Sequence, residues 1–320
     1  METILSIRNL HKYFHLGKGS VLKAVNSVNL ELKRGETLGL VGESGCGKTT
    51  LGRTIVKIYK PDSGNIFFEG EDIWSLDRKQ AFMFRKKAQM IYQDPYASLD
   101  PLSVISTSVA EGLVIHKMRQ SEAGKRKRVL ELLEMVGLNP DHANRFPHEF
   151  SGGQRQRIGI ARALAVEPHL VVCDEPISAL DVSIQAQIIN LLMRMQREMG
   201  LSYIFISHDL SMIKQISDRI AVMYLGNIVE LATSDTLYEK QRHPYTKALL
   251  SAIPIPEPKI ERERKRVMLS GDVPSPINLP DICGFSKRCS VAKEECFKSR
   301  PELREVEQGH FVACHMNISD

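Results

Sequence analysis

The hydrophobic pattern of the N-terminal part of the chain predicts several short strands and one helix. Apolar and polar residues alternate over 4–10 and again over 27–42, as in strands at the edge of a sheet. Within the second run, Thr37–Val41 is apolar enough to be a buried strand, and it leads into a glycine-rich segment. The pattern becomes helical over Thr49–Ile58, and a further strand is predicted over Asn65–Phe68.

The middle of the chain is predicted to be helical, and it is followed by alternating strands and helices. Residues of about 95–155 carry apolar side chains at helical spacing and predict a helical subdomain. Beyond it, strand-like runs at Leu170–Cys173, Tyr203–Ser207 and Ile220–Tyr224 alternate with helical stretches. This alternation is typical of a parallel sheet, so we predict an α/β core with a helical subdomain.

A change of composition near residue 250 predicts a domain boundary. Pro254, Pro256 and Pro258 stand at every second position and exclude a continuing helix, so this stretch is predicted to be an extended linker. We therefore predict one large domain over 1–250 and a C-terminal extension over 251–320.

Composition and charge exclude several classes of protein. The 320 residues are 42% hydrophobic and 25% charged, enough to bury a large core. The net charge of +5 is spread along the chain rather than grouped, and it does not indicate a nucleic-acid-binding protein. No signal-like N-terminus and no run of eighteen apolar residues is present, so we expect neither secretion nor a membrane span.

A phosphate-binding loop is predicted between the strand ending at Val41 and the helix that follows. The eight residues of the loop match the pattern Gly-x4-Gly-Lys-Ser/Thr in full. Its glycines let backbone N–H groups and the helix N-terminus point at phosphates, Lys48 adds a positive charge, and the Thr49 hydroxyl is placed to bind Mg²⁺. The residues predicted to bind nucleotide here are Gly42, Glu43, Ser44, Gly45, Cys46, Gly47, Lys48, Thr49 and Thr50.

Two carboxylates and a histidine follow later strands and predict the hydrolytic part of the site. The apolar run Leu170–Cys173 ends on Asp174, a predicted Mg²⁺ ligand, and Glu175, a candidate general base for the attacking water. His208 follows the next apolar strand, where it could position that water. An Asp-Glu pair or a single histidine is commonplace alone, so both assignments depend on the neighbouring motifs.

A second phosphate-binding surface is predicted at a glycine-rich helix start. Ser151 can cap a helix whose first N–H groups, with the backbone of Gly152 and Gly153, form an anion site, and Gln154 completes the motif. Many phosphate-loop enzymes lack such a second surface. The motif resembles the signature of ABC nucleotide-binding domains, with Phe150 where most members have leucine.

The resemblance to the ABC family implies a fold and further site residues. The expected fold is a RecA-like parallel sheet core with an antiparallel β subdomain and a helical subdomain. The signature of one subunit would act in trans on the nucleotide of another. Gln93 resembles the Q-loop glutamine that touches Mg²⁺ or the water, and Asp181 resembles the D-loop aspartate. Phe14 is favoured as the adenine-stacking aromatic, with Tyr13 as the alternative; either could instead simply pack against the sheet.

Three stretches, 93–101, 174–187 and 242–250, resemble the oligopeptide and dipeptide importer group, closest to its F type (DppF or OppF) of ATPase subunit. This resemblance covers nearly the whole chain. It implies a prokaryotic peripheral protein at the cytoplasmic face of the membrane, which couples hydrolysis of ATP with Mg²⁺ to uptake of di- or oligopeptides. The implied partners are a homologous second ATPase subunit in a heterodimer, two transmembrane permeases and an extracytoplasmic peptide-binding protein, with no nucleic acid.

Other functions remain as alternatives. Related importers carry nickel, glutathione or oligosaccharides. A DNA-repair ATPase of the same superfamily would need a long heptad-repeat insertion, but only about a hundred residues separate Lys48 from Ser151. A ribosome-acting ABC protein would carry two nucleotide-binding domains, whereas each motif occurs once here.

Four cysteines in the C-terminal extension predict a metal centre. Four thiolates suit tetrahedral zinc or an iron–sulfur cluster, and four buried free cysteines are the plainer alternative. The spacing resembles the C-terminal extension of peptide-importer ATPases, which implies a [4Fe–4S] cluster, with zinc as the second choice. The predicted ligands are Cys283, Cys289, Cys296 and Cys314.

Overall fold

The computed structural model describes residues 2–118, 121–253, 271 and 274–316. Its strands are β1 (Thr3–Gly17), β2 (Ser20–Lys33), β3 (Thr37–Val41), β4 (Ser63–Phe68), β5 (Glu71–Asp72), β6 (Ala88–Ile91), β7 (Leu170–Asp174), β8 (Ser202–Ser207), β9 (Arg219–Tyr224), β10 (Asn227–Thr233), β11 (Arg304–Glu307) and β12 (His310–Val312). Its α-helices are α1 (Lys48–Ile55), α2 (Arg78–Lys87), α3 (Ile105–Ile115), α4 (Glu122–Met135), α5 (Gly152–Leu164), α6 (Val182–Met199), α7 (Leu210–Ile216), α8 (Ser234–Glu239) and α9 (Pro244–Ser251).

The described residues divide into two compact units, and each unit combines segments that are distant in sequence. The first unit takes its residues from Met1–Leu5, Leu32–Thr37 and Phe68–Ile206. The second takes its residues from Ser6–Glu31, Leu38–Phe67 and Ser207–Asp320.

The first unit contains a parallel sheet and a group of packed helices. Strand β7 pairs in parallel with β6 on one side and with β8 on the other. All five residues of β7 are buried, as its apolar sequence predicts. Helices α3, α4 and α5 pack against one another. Their shared core includes Val109 of α3, Leu132 of α4 and Ile158 of α5, each fully buried.

The second unit is built on a mixed sheet. Strand β3 pairs in parallel with β9, and β10 returns antiparallel to β9. The two C-terminal strands extend the same sheet, because β12 pairs with β10 and β11 pairs with β12, both antiparallel. Strands β2, β1 and β4 lie side by side in a second, separate sheet.

Most strands predicted from the hydrophobic pattern are found within a residue or two of their predicted bounds. Helix α1 is an exception, because it ends at Ile55 rather than Ile58. Lys57 adopts a positive φ of 62°, and the N–H of Ile58 then donates to the carbonyl of Arg53 at 2.8 Å, which closes the helix. The predicted proline linker at 254–258 lies outside the described residues.

The predicted cysteine-rich extension is not supported as a separate metal-held element. Residues 304–312 instead form strands that belong to the sheet of the second unit. Among the helices that the structure describes, none has both the length and the apolar character needed to cross a membrane.

Candidate functional site

The loop between β3 and α1 has the backbone geometry of an anion-binding turn. Gly42, Gly45 and Gly47 adopt positive φ angles of 153°, 78° and 108°. A Cβ atom at Gly42 would lie 2.1 Å from the carbonyl oxygen of Met223, and one at Gly47 would lie 1.9 Å from that of Ala24. Glycine is therefore required at these two positions both by conformation and by space. Ser44 and Gly45 form the exposed tip of the loop.

Lys48 is buried against the loop that precedes it. Its Nζ donates to the carbonyl oxygens of Gly42 at 2.7 Å and Glu43 at 3.0 Å, and only 4% of the residue is exposed. Cys46 lies beside it, with Sγ 3.7 Å from Nζ, and burial raises the pKa of this thiol. Thr49 and Thr50 follow in the first turn of α1, both half-buried. The loop thus holds the ammonium group of Lys48 next to the backbone that is predicted to bind phosphate.

Glu43 of the loop is contacted by two residues from the C-terminal part of the chain. Its carboxylate accepts two hydrogen bonds from Arg288, at 2.7 and 3.1 Å. Its backbone N–H donates to the hydroxyl of Tyr245 at 2.9 Å. The sequence predicted neither contact, since the partners stand 245 and 202 positions away and no motif joins them.

Tyr13 and Phe14 are neighbours on β1 and differ in how their rings are held. The Tyr13 hydroxyl donates to Asn26 at 2.8 Å and also lies 2.8 Å from His11 Nδ1. Phe14 makes an edge contact with Tyr59, the ring centroids being 5.5 Å apart, and Lys12 Nζ lies 5.2 Å from the Phe14 ring centre. Because polar partners already fix Tyr13, Phe14 remains the better candidate for stacking on adenine.

The structure brings the predicted general base and the Q-loop glutamine into contact. Gln93 Nε2 donates to Glu175 Oε2 at 3.0 Å across 82 positions of sequence. Asp174 ends β7 almost fully buried, while Glu175 is half-buried and has a φ of 45°. A positive φ is strained for a residue with a side chain, and such strain is typical of functional positions. Burial of one carboxylate and partial exposure of the next suit the different roles predicted for them.

Ser151 caps α5 as the sequence predicts. Its hydroxyl accepts from the N–H of Gln154 at 3.4 Å, and the Gln154 side chain accepts from the N–H of Ser151 at 3.0 Å, a reciprocal capping box. Ser151 is exposed, and Gly152 and Gly153 are half-buried. The first turn of this helix therefore offers backbone N–H groups at an accessible surface.

Two further predicted residues lie at the ends of elements. His208 is exposed directly after β8, followed by Asp209, which caps α7. Asp181 is exposed at the N-terminus of α6, and Val182 beside it is 73% exposed. Their proposed roles toward a nucleotide or a second subunit stay predictions.

The prediction of a [4Fe–4S] cluster, or of zinc as its alternative, is wrong for the described geometry. Within residues 2–118, 121–253, 271 and 274–316, no three His, Cys, Asp or Glu side chains are grouped so that they could hold a metal ion. Cys283, Cys289, Cys296 and Cys314 form no disulfide, and all but Cys289 are buried.

The phosphate loop, the carboxylates ending β7 and the capped α5 together define the class of phosphate-loop ATPases. A family model described as ABC transporter matches residues 25–178, and a model of the oligopeptide/dipeptide transporter C-terminal region matches residues 229–296. The oligopeptide transport ATP-binding protein OppF of Bacillus subtilis is 53% identical over 314 residues, covering 98% of this chain and 96% of its own length. OppF of Haemophilus influenzae is 52% identical over 303 residues, covering 95% of this chain and 91% of its own length.

The chain therefore belongs to the ABC transporter family as an ATP-binding, ATP-hydrolysing subunit. Solved structures agree with this fold. The structure of cbiO1 of Clostridium perfringens, part of the ABC transporter complex cbiONQ, is similar with a TM-score of 0.67 and 29% identity. The match covers 75% of this chain and 92% of cbiO1. A dimeric post-hydrolysis structure of the ATP-binding cassette MJ0796 with ADP and Pi matches 72% of the chain and 98% of its own, with a TM-score of 0.65 and 29% identity.

Proposed function

We propose that this chain couples ATP hydrolysis to the uptake of di- and oligopeptides through an ABC importer. Two relatives that are more than half identical over more than 90% of their own length are named as oligopeptide transport ATP-binding proteins. The mechanism is supported by two segments whose backbone geometry suits phosphate binding: the glycine loop before α1 and the accessible first turn of α5.

The loop and the carboxylates would act on the nucleotide in different ways. The backbone of residues 42–50 and the ammonium group of Lys48 would bind the phosphates. Thr49, Gln93 and Asp174 offer a hydroxyl, an amide oxygen and a carboxylate, the hard oxygen donors that Mg²⁺ prefers, and bound Mg²⁺ would neutralise charge on the phosphates.

Glu175 is the proposed general base. Its carboxylate accepts a hydrogen bond from Gln93 through Oε2, and its other oxygen would accept the proton of the attacking water. His208 would help to position that water. Phe14, with Tyr13 as the alternative, would stack on the adenine.

The second phosphate-binding feature points to a two-subunit site. Ser151–Gln154 would act on the nucleotide bound by a partner ATPase subunit, and the exposed Asp181 would reach that partner. We propose a heterodimer with a homologous ATPase, attached to two permease subunits and served by an extracytoplasmic binding protein. The chain would then lie peripherally at the cytoplasmic face of a prokaryotic membrane.

We propose two domains, one over 1–250 and a C-terminal extension over 251–320. The larger domain contains a helical subdomain at about 95–155, which is the part proposed to move. Helices α3, α4 and α5 fall within or across the edge of that subdomain. Closure of two subunits on ATP would move these helices and switch the permeases.

A solute panel tests the proposed function. The transporter is purified with its permeases and binding protein, reconstituted in vesicles, and ATP hydrolysis is measured with peptides of two to five residues, nickel, glutathione and oligosaccharides. We expect peptides to stimulate hydrolysis and to accumulate in the vesicles. Stimulation by one of the other solutes alone would contradict peptide uptake and identify the chain as the ATPase subunit of a different importer. An absence of stimulation by every solute would favour an ABC ATPase that does not act in transport.

A further inference from the structure

The phosphate loop is tied to the C-terminal part of the chain by one buried ion pair. Both terminal nitrogens of the Arg288 guanidinium donate to the Glu43 carboxylate, one at 2.7 Å and the other at 3.1 Å. The Arg288 side chain is 7% exposed and that of Glu43 is 26% exposed. Two parallel hydrogen bonds of this kind fix the relative orientation of the guanidinium and the carboxylate in addition to pairing their charges.

Glu43 is the second residue of the loop, so its carboxylate carries a negative charge within the segment proposed to bind phosphates. Its own carbonyl oxygen accepts from Lys48 Nζ at 3.0 Å, and its N–H donates to Tyr245. An unpaired carboxylate here would repel the phosphates and compete for the ammonium group of Lys48. Pairing with Arg288 neutralises the charge that causes this repulsion. It also fixes the position of Glu43, whose carbonyl oxygen accepts the hydrogen bond from Lys48.

Arg288 lies beside a cluster of aromatic residues and contacts one of them, Tyr224. One terminal nitrogen lies 3.4 Å from the Tyr224 hydroxyl, at the end of β9. Phe285, in the same turn as Arg288, is 2% exposed, and its ring centroid lies 5.4 Å from those of Tyr224 and Tyr245. The N–H of Arg288 donates to the carbonyl of Phe285 at 2.9 Å. These contacts, together with Glu43, fix the position of the guanidinium.

We propose that Arg288 is a positioning residue for ATP, which neutralises Glu43 and holds the phosphate loop in its binding conformation. The C-terminal region thereby becomes part of the nucleotide site. The inference rests on the proposed role of residues 42–50 in phosphate binding, and it adds a residue outside every motif of that site.

Nucleotide affinity of the purified full chain tests this proposal. Binding of the non-hydrolysable ATP analogue AMP-PNP with Mg²⁺ is measured by titration calorimetry. Arg288→Ala should raise Kd about tenfold, equivalent to about 1.4 kcal/mol. Arg288→Lys, which keeps the charge but loses the paired geometry, should raise it about threefold. Lys287→Ala is the matched control, because it removes an exposed cation from the same turn and should leave Kd unchanged.

A second substitution separates charge neutralisation from simple loss of packing. Glu43→Gln added to Arg288→Ala removes the unpaired carboxylate and should return Kd to within about threefold of wild type, as expected for coupled neighbours. An unchanged Kd in Arg288→Ala, or an absence of rescue in the double variant, would overturn the proposal. Where Arg288→Ala does not fold, Arg288→Gln, which removes the charge and keeps a long side chain, gives the same comparison with its double variant with Glu43→Gln.

Lys48→Ala distinguishes this inference from the proposed site itself. If Lys48→Ala leaves AMP-PNP binding intact, the phosphate loop has been assigned wrongly. If Lys48→Ala abolishes binding while Arg288→Ala does not change it, the site stands and only the role of Arg288 fails.

Discussion

Glu175 combines three properties at the scale of a single residue: a strained backbone, partial exposure and a hydrogen bond from Gln93. We expect Glu175→Gln to keep ATP binding, because the amide has nearly the same shape, and to hydrolyse ATP at least ~100-fold more slowly, because a general base contributes 10²–10⁴ in rate. The check is steady-state hydrolysis by the assembled transporter. Glu198→Gln, an exposed change on α6, is the control and should not alter the rate. Wild-type rates in Glu175→Gln would remove Glu175 from catalysis.

Glu69 is the other carboxylate whose surroundings predict a measurable effect. Partial burial alone would raise its pKa, but hydrogen bonds from Lys87, His169 and Arg34 outweigh burial and lower the pKa from 4.5 to about 2. A lowered folded-state pKa stabilises the fold above the unfolded value of 4.5, and this contribution is lost as pH falls toward 2.

We therefore expect Glu69→Gln to lower the free energy of unfolding by roughly 1 kcal/mol at pH 7, the upper range for partly exposed ion pairs. The difference from wild type should shrink as pH falls from 4.5 toward 2, measured by urea unfolding. Glu2→Gln removes the more exposed carboxylate that pairs with the same Arg34, and it should lower the free energy of unfolding by less than Glu69→Gln does. A difference that stays constant across this pH range would exclude the ion-pair network as its cause.

At the scale of elements, α5 has a cap that could serve both stability and function. Ser151→Asp should keep the cap, since Asp and Ser are comparable at this position, and should change the free energy of unfolding by less than about 0.5 kcal/mol. The added negative charge should nonetheless prevent ATP-driven association with the partner ATPase, because like charges repel across the proposed interface.

Ser151→Asn is the matched variant, as it retains a good cap without charge. Association is followed by sedimentation with MgATP, alongside thermal unfolding. If Ser151→Asp and Ser151→Asn associate equally well, the first turn of α5 does not face a bound phosphate.

Elements with a strong local signal were predictable from the sequence. Strand β3 has the predicted bounds because every residue from Thr37 to Val41 is apolar enough to be buried, and the adjoining loop glycines specify their own turn. The capped start of α5 follows from Ser151 and Gln154, whose side chains act three residues apart. Local chemistry of this kind needs no knowledge of the rest of the fold.

Long-range partners were not predictable in the same way. Nothing local in Arg304–Val312 shows that these residues pair with β10, and nothing near Arg288 indicates Glu43 as its partner. The cysteine prediction failed for a related reason. Spacing identifies four donors, but metal binding also depends on how the backbone directs the thiols toward one point, and the described residues show no such grouping.

At the scale of the whole molecule, the proposed mechanism requires two ATPase chains. The loop of residues 42–50 and the signature of residues 151–154 both present groups suited to phosphate, and each is proposed to serve a different nucleotide. This chain would therefore hydrolyse ATP as one half of a two-subunit site.

The need for a second ATPase subunit is tested by the ATP hydrolysis rate of the purified chain, alone and with its partner ATPase and permeases. We expect the isolated chain to hydrolyse ATP slowly, with a rate per chain that rises with protein concentration, and the complete assembly to restore activity. Rapid hydrolysis per chain at nanomolar concentration, independent of dilution and by a species that sediments as a monomer, would contradict a two-subunit site.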